Sequence, residues 1–158
     1  MLVVVTTATI LLLATIVVHG VAVLLLYRIG ARPLAHAETL PPVLRLAWSY
    51  FFVIGFVIAH LIEIMIWALA YRLTGELRDL EEAIYFSAVT FATIGYGDVT
   101  LSGKWRLASA LEGVNGILLF GWTTAFLFKV SALLWFGKVK LATESDADPG
   151  DSPQLPRK

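Results

Sequence analysis

Cysteine is absent from this 158-residue chain, which removes disulfides, thiolate chemistry and cysteine metal sites together and leaves the redox compartment open. Charge is scarce as well. Lys and Arg number 12, Asp and Glu number 12, and the charged fraction is only 15%. With no basic block and no net positive charge, no nucleic-acid partner is expected. None of the apolar runs carries the regularly spaced arginines of a voltage sensor. The stretch beyond the last apolar run is far shorter than the roughly 50 residues that a nucleotide- or calcium-binding domain needs, so no such domain is expected in it. What fills the chain instead is apolar. Hydrophobic residues make up 58% of it and the mean hydropathy is +0.79, which excludes an ordinary soluble domain and predicts an all-α integral membrane protein.

Residues 2–26 are uncharged and almost wholly apolar, and about 25 residues at 1.5 Å each cross a hydrocarbon core of about 30 Å. No Lys or Arg precedes the run and it exceeds a signal peptide's apolar region, so a spanning helix is expected over 1–27 rather than a cleaved leader. Thr6, Thr7, Thr9 and Thr15 read as packing hydroxyls, and His19 is the other polar group of note. Residues 28–45, with Arg28, Arg32, His36, Glu38 and Arg45 broken by Pro33 and Pro41-Pro42, read as a polar linker. Pro42 suits a helix's first turn and opens a second span whose body is 46–71, with Trp48 and Tyr50 near one end and Trp67 and Tyr71 near the other. His60 and Glu63 share one face of that span. Either they bond to neighbouring helices and fix the register, or they form a pH-sensing or ion-binding site. Two ligands alone do not make a metal site, and no third is visible along the sequence.

Asp79, Glu81 and Glu82 mark the positive end of a short helix over 80–92, at ~18 Å too short to span. It reads as a re-entrant helix whose C-terminal carbonyls aim at a cation. Thr93-Ile94-Gly95-Tyr96-Gly97-Asp98 follows. For successive carbonyls to point at one axis, neighbouring residues must alternate between right- and left-handed backbone, and Gly95 and Gly97 stand two apart as that requires. Ile94 and Tyr96 suit side chains that face away from the axis, and Thr93 adds a hydroxyl. A third apolar helix is predicted over 105–136, with Gly116 as its bend, and an acidic, proline-interrupted, disordered tail over 137–158.

The segment 93–98, the pore-helix sequence Glu81–Ala92 and the inner-helix sequence Val114–Ala125 together resemble the pore domain of tetrameric potassium channels, over about residues 46–136. The resemblance implies a prokaryotic two-span, pore-loop type of channel with an additional N-terminal helix. It implies a homotetramer in the lipid bilayer of a plasma membrane, specifically a prokaryotic inner membrane. Passive conduction of K+ would run through rings formed by the carbonyls of Thr93, Ile94, Gly95 and Tyr96, with Gly97 completing the filter. No catalytic residue and no cofactor are expected, K+ being the permeant ion. Asp98 would form an acidic ring at the outer mouth, and Ile117, Phe120 and Thr124 would face the cavity. Tyr85 and Phe86 hold positions of aromatics that brace the filter, whereas Val89 stands where some relatives have a glutamate paired with the acid after it. The filter faces outward in the family, so residues 28–45 and the tail would be cytoplasmic. Alternatives are a weakly selective monovalent cation channel and a subunit of a potassium-uptake transporter. The roles of Glu112 and Asn115 are not legible at this level.

Overall fold

A computed structural model describes residues 1–136, so the expected tail over 137–158 lies outside the described residues. Every regular element among them is helical. The chain runs through α1 (Leu2–Ala35), a single 3-10 turn at Ala37–Thr39, α2 (Pro42–Leu73), α3 (Leu80–Phe91) and α4 (Arg106–Trp135). α1, α2 and α4 are long and apolar enough to cross a membrane, whereas the 12 residues of α3 reach only ~18 Å.

Two boundaries depart from sequence expectation. The polar linker is much shorter than 28–45, because α1 continues through Arg28, Arg32 and Pro33 to Ala35 and α2 already begins at Pro42. Pro33 is tolerated because it falls in the last turn, where the helix end is closed by both the His36 backbone N–H (3.2 Å) and its ring Nδ1 (3.0 Å) on the Arg32 carbonyl. Packing carries α1 on. A methyl group at Gly30 would overlap the Phe52 ring, and one at Gly55 would overlap Leu26, so α1 and α2 interlock glycine against side chain in both directions. The remaining turn is held by Arg45, whose guanidinium donates to the carbonyls of Leu40 and Glu38 at 2.9 Å each.

α1 packs against both α2 and α4, and α3 wedges between α2 and α4. Two apolar clusters form. One gathers Val4, Ala8, Trp67, Tyr71, Phe86, Phe91 and Leu119 around α3. The other gathers Leu26, Leu34, Phe52, Phe56, Val130 and Leu134 at the opposite end of the long helices. Between them, at mid-height, lies a layer of buried polar side chains: Thr15, His19, Glu63, Asn115 and Thr123. α1 is therefore built into the protomer, through polar as well as apolar contacts.

Candidate ion-conduction site

The segment Thr93–Asp98 hangs from α3. Asp79 caps that helix by accepting the Glu82 backbone N–H at 3.1 Å, and Glu81 and Glu82 occupy the first turn, so carboxylates complement the positive end of the helix dipole. The opposite, partially negative end falls at Phe91, immediately before the segment. There the chain turns back: Thr93 N–H donates to the Thr90 carbonyl (2.9 Å), and Ile94 and Gly95 N–H both donate to the Val89 carbonyl (2.9 and 3.3 Å).

Backbone handedness then alternates. Thr93 has φ +59°, Gly95 +58° and Gly97 +79°, while Ile94 and Tyr96 between them are not left-handed. The glycines were the residues expected to take this conformation; Thr93 joins them despite its β-branched side chain, which ordinarily resists positive φ. A non-glycine residue is held there only where its surroundings determine the backbone, and the three bonds back to α3 supply that constraint.

The outer end of the segment is fixed by side chains. Tyr85 on α3 donates its hydroxyl to Asp98 Oδ2 at 2.7 Å. This bond holds the Asp98 carboxyl below its usual range and raises the Tyr85 phenol. Tyr85 thus engages Asp98 directly, while Phe86 is buried and meets Tyr71 edge-on at 5.4 Å. Further out, Glu76 accepts both the backbone N–H (2.9 Å) and the hydroxyl (3.0 Å) of Ser102, joining the loop before α3 to the loop after the filter.

Behind α3 sits Glu112 on α4, fully buried. It accepts the Tyr71 hydroxyl at 2.7 Å, and its other oxygen faces Ser87, which also contacts the Ile64 carbonyl at 2.9 Å. One carboxyl group therefore links α2, α3 and α4. Asn115, one turn on, donates to Thr15 of α1 at 2.6 Å. Both residues join helices far apart in sequence, which is why their roles cannot be read from spacing. Thr15 is likewise more than a self-bonded packing hydroxyl.

Gly116 meets α3 directly: a methyl group there would overlap the Phe91 carbonyl oxygen. Its place in the structure is a close helix approach, and α4 runs through it unbroken. Ile117 and Thr124 lie on the exposed face of α4, with Thr124 bonded to the Phe120 carbonyl at 2.8 Å. Phe120 only partly shares that face. It leans on His60 (ring centroids 4.6 Å apart) and Phe91 (5.5 Å), linking the outer surface of α4 to the polar layer.

His60 and Glu63 do come together, with His60 Nδ1 at 2.8 Å from Glu63 Oε2. A third member, His19 of α1, places its Nδ1 at 2.9 Å from Glu63 Oε1, and a fourth, Thr123 of α4, completes the group. The signal for His19 was an ionisable side chain inside a span; nothing in linear order assigns it to Glu63, 44 residues away.

Residues 59–132, which contain α3, the alternating segment and most of α4, match the family model for ion channels. The match makes this stretch, a little under half of the chain, similar to an ion-channel domain. No curated protein and no solved structure matches the chain. The matched region runs from the second half of α2 through nearly all of α4 and leaves α1 outside it.

Proposed function

We propose that this channel is a homotetrameric, potassium-selective pore in which residues 93–97 of each chain supply one wall of the filter. The observation that carries the reading is the alternation of left-handed φ at Thr93, Gly95 and Gly97, directly beyond the negative end of α3. Such a backbone turns successive carbonyls to one side. Four copies around an axis would stack rings of oxygens from Thr93, Ile94, Gly95 and Tyr96, with the Thr93 hydroxyl below, and these replace the hydration shell of K+. The four α3 dipoles would lower the energy of a cation at the inner end, and four Asp98 carboxylates would concentrate cations at the outer end.

Fourfold assembly is supported by what a single chain leaves uncovered. Ile94 and Tyr96 are 54% and 69% exposed, and Val114, Ile117 and Leu118 line an exposed stretch of α4. A cavity of about 330 Å³ opens behind the filter, lined by Tyr85, Val89, Thr90, Thr93 and Gly113 among others, where a neighbouring chain would pack. Orientation follows with the filter outward, the Ala37–Thr39 turn on the cytoplasmic side and a prokaryotic plasma membrane as the setting.

The test is the reversal potential of the purified protein in planar bilayers with potassium on one side and sodium on the other. Reversal near the potassium equilibrium potential is the expected result. Reversal near zero with robust current would make the protein a weakly selective cation channel. A monomeric mass in detergent, with uptake but no channel current, would favour a transporter subunit.

A further inference from the structure

We infer that His19, His60 and Glu63 form a binding site for a divalent transition-metal ion of the zinc type, buried where α1, α2 and α4 meet. Their ligand atoms all lie within 4.8 Å of one another. His19 and Glu63 are fully buried and the His60 side chain is 12% exposed. Two imidazoles and one carboxylate are a donor set that suits zinc, cobalt or nickel and not the oxygen-only preference of calcium or magnesium.

Donor counting carries the argument. Each histidine directs Nδ1 at one Glu63 oxygen, at 2.9 Å for His19 and 2.8 Å for His60, and directs Nε2 at the same Thr123 hydroxyl, at 3.4 Å and 3.1 Å. The four side chains therefore close a ring. If both histidines are neutral and donate Nδ1–H to Glu63, two bare Nε2 atoms face one hydroxyl that has one proton, and one nitrogen is left without a partner. One added proton, making one histidine an imidazolium, closes the count, and so does a metal ion, for which the three converging ligand atoms are also placed. With both Nδ1 lone pairs and the Glu63 carboxylate on the ion, each Nε2–H donates to Thr123, whose oxygen has two lone pairs to receive them. That is the outer-sphere arrangement by which metal-bound histidines are oriented, with the second ring N–H held by a fixed acceptor.

Ligand atoms around tetrahedral zinc at ~2.0–2.1 Å stand roughly 3.4 Å apart, so with one Glu63 oxygen on the ion its Nδ1···O contact opens by about half an ångström, and ligand pairs that stand up to 4.8 Å apart close toward that spacing. Three protein ligands leave a fourth position for water. The ion would tie α1, which lies outside the matched channel region, to α2 by direct bonds and to α4 through Thr123. His60 carries the link onward to Phe120 and, at a ring distance of 6.1 Å, to Phe91 at the end of the pore helix. Occupancy would therefore stiffen the packing behind the conduction path.

The experiment is a zinc titration of the full-length protein in detergent after chelator treatment, read by calorimetry and by competition with a chromophoric chelator. It is repeated with cobalt for its d–d absorption spectrum. The expected result is about one ion per chain, a four-coordinate nitrogen–oxygen cobalt spectrum, and a rise in melting temperature with zinc. Glu63→Gln and His19→Asn, which keep hydrogen-bonding atoms in place, should abolish binding. Thr123→Val, which spares all three ligands and the side-chain volume, should weaken it by about 10-fold or more. His36→Ala, at an exposed histidine, should leave it unchanged. The inference is overturned if zinc fails to bind stoichiometrically to the wild-type protein. It is equally overturned if binding survives in folded Glu63→Gln and His19→Asn, or disappears in His36→Ala; the ring is then a proton-linked structural network. None of these readouts depends on ion selectivity, so the site stands or falls apart from the potassium reading.

Discussion

Asp98 lies fully exposed on a single chain, and its carboxylate is nonetheless held by one geometric partner, the Tyr85 hydroxyl. Because that bond lowers the carboxyl's pKa, the contact is complete above the ordinary carboxylate range and is lost as pH falls through the lowered value. In Tyr85→Phe the carboxyl returns toward its ordinary range, so the acid-side fall in single-channel conductance should move to higher pH. An unmoved acid limb in that variant would mean that Asp98 acts without Tyr85. Glu112 poses the opposite case, a carboxyl with no exposure and two hydroxyl neighbours. Glu112→Ala leaves the Tyr71 hydroxyl unpaired beside a cavity, with Ser87 keeping only the Ile64 carbonyl, and should cost about 2–4 kcal/mol, whereas Glu112→Gln, which keeps an acceptor, should cost less. Thermal unfolding of the two variants checks the order. At this scale the left-handed backbone at Gly95 and Gly97 was legible in the sequence because its cause is local: two glycines two residues apart. Glu112, Asn115, His19 and Thr123 were not, because each is defined by a partner on another helix.

Among the elements, α3 and its flanks are the part most faithfully encoded. Acidic residues at its start, aromatic and apolar residues through its body and glycines after it leave little freedom, and it forms as Leu80–Phe91. The ends of α1 and α2 were harder to read, since arginines and prolines resemble a loop in sequence. In three dimensions Arg28 and Arg32 belong to α1 and Pro33 costs little in a final turn. Gly116 carries a constraint that linear order does not show: beyond the bend expected of a mid-helix glycine, the Phe91 carbonyl lies where a side chain would go. Gly116→Ala should therefore destabilise the fold by about 1–3 kcal/mol through overpacking against α3. Were Gly116 needed only for bending, the same change would alter open probability and leave the melting temperature intact; the two measurements made together distinguish these outcomes.

For the whole molecule, a single chain offers half of what a pore requires: a shaped backbone, and apolar surfaces around it with nothing against them. An ion bound between chains stabilises the assembly and not the separated protomers. By linkage, a permeant ion present at 100 times its dissociation constant adds about 2.7 kcal/mol per site to the assembled state. The oligomer should therefore dissociate at a higher temperature in potassium than in sodium at equal ionic strength, as followed by native gel or light scattering during heating. Identical profiles in the two salts would remove the filter as a potassium site. Ile94 and Tyr96 are exposed on the single chain, and the number four in the proposed assembly comes from the resemblance of the motif.

The contact between Glu63 and His19 also bears on how the protein is made. Helices enter a bilayer one after another, and an ionised carboxylate at the centre of a span raises the cost of insertion by roughly 2.5–3.5 kcal/mol when it is alone. α1 is synthesised first and carries His19 at mid-span, so that when α2 arrives its Glu63 has a hydrogen-bonding partner already in the membrane. His60, on the same helix as Glu63, can cover one oxygen from the start, but the other waits for α1. The first helix would then act as an assembly escort as well as a structural one, and pairing of α1 with α2 would precede the meeting of chains.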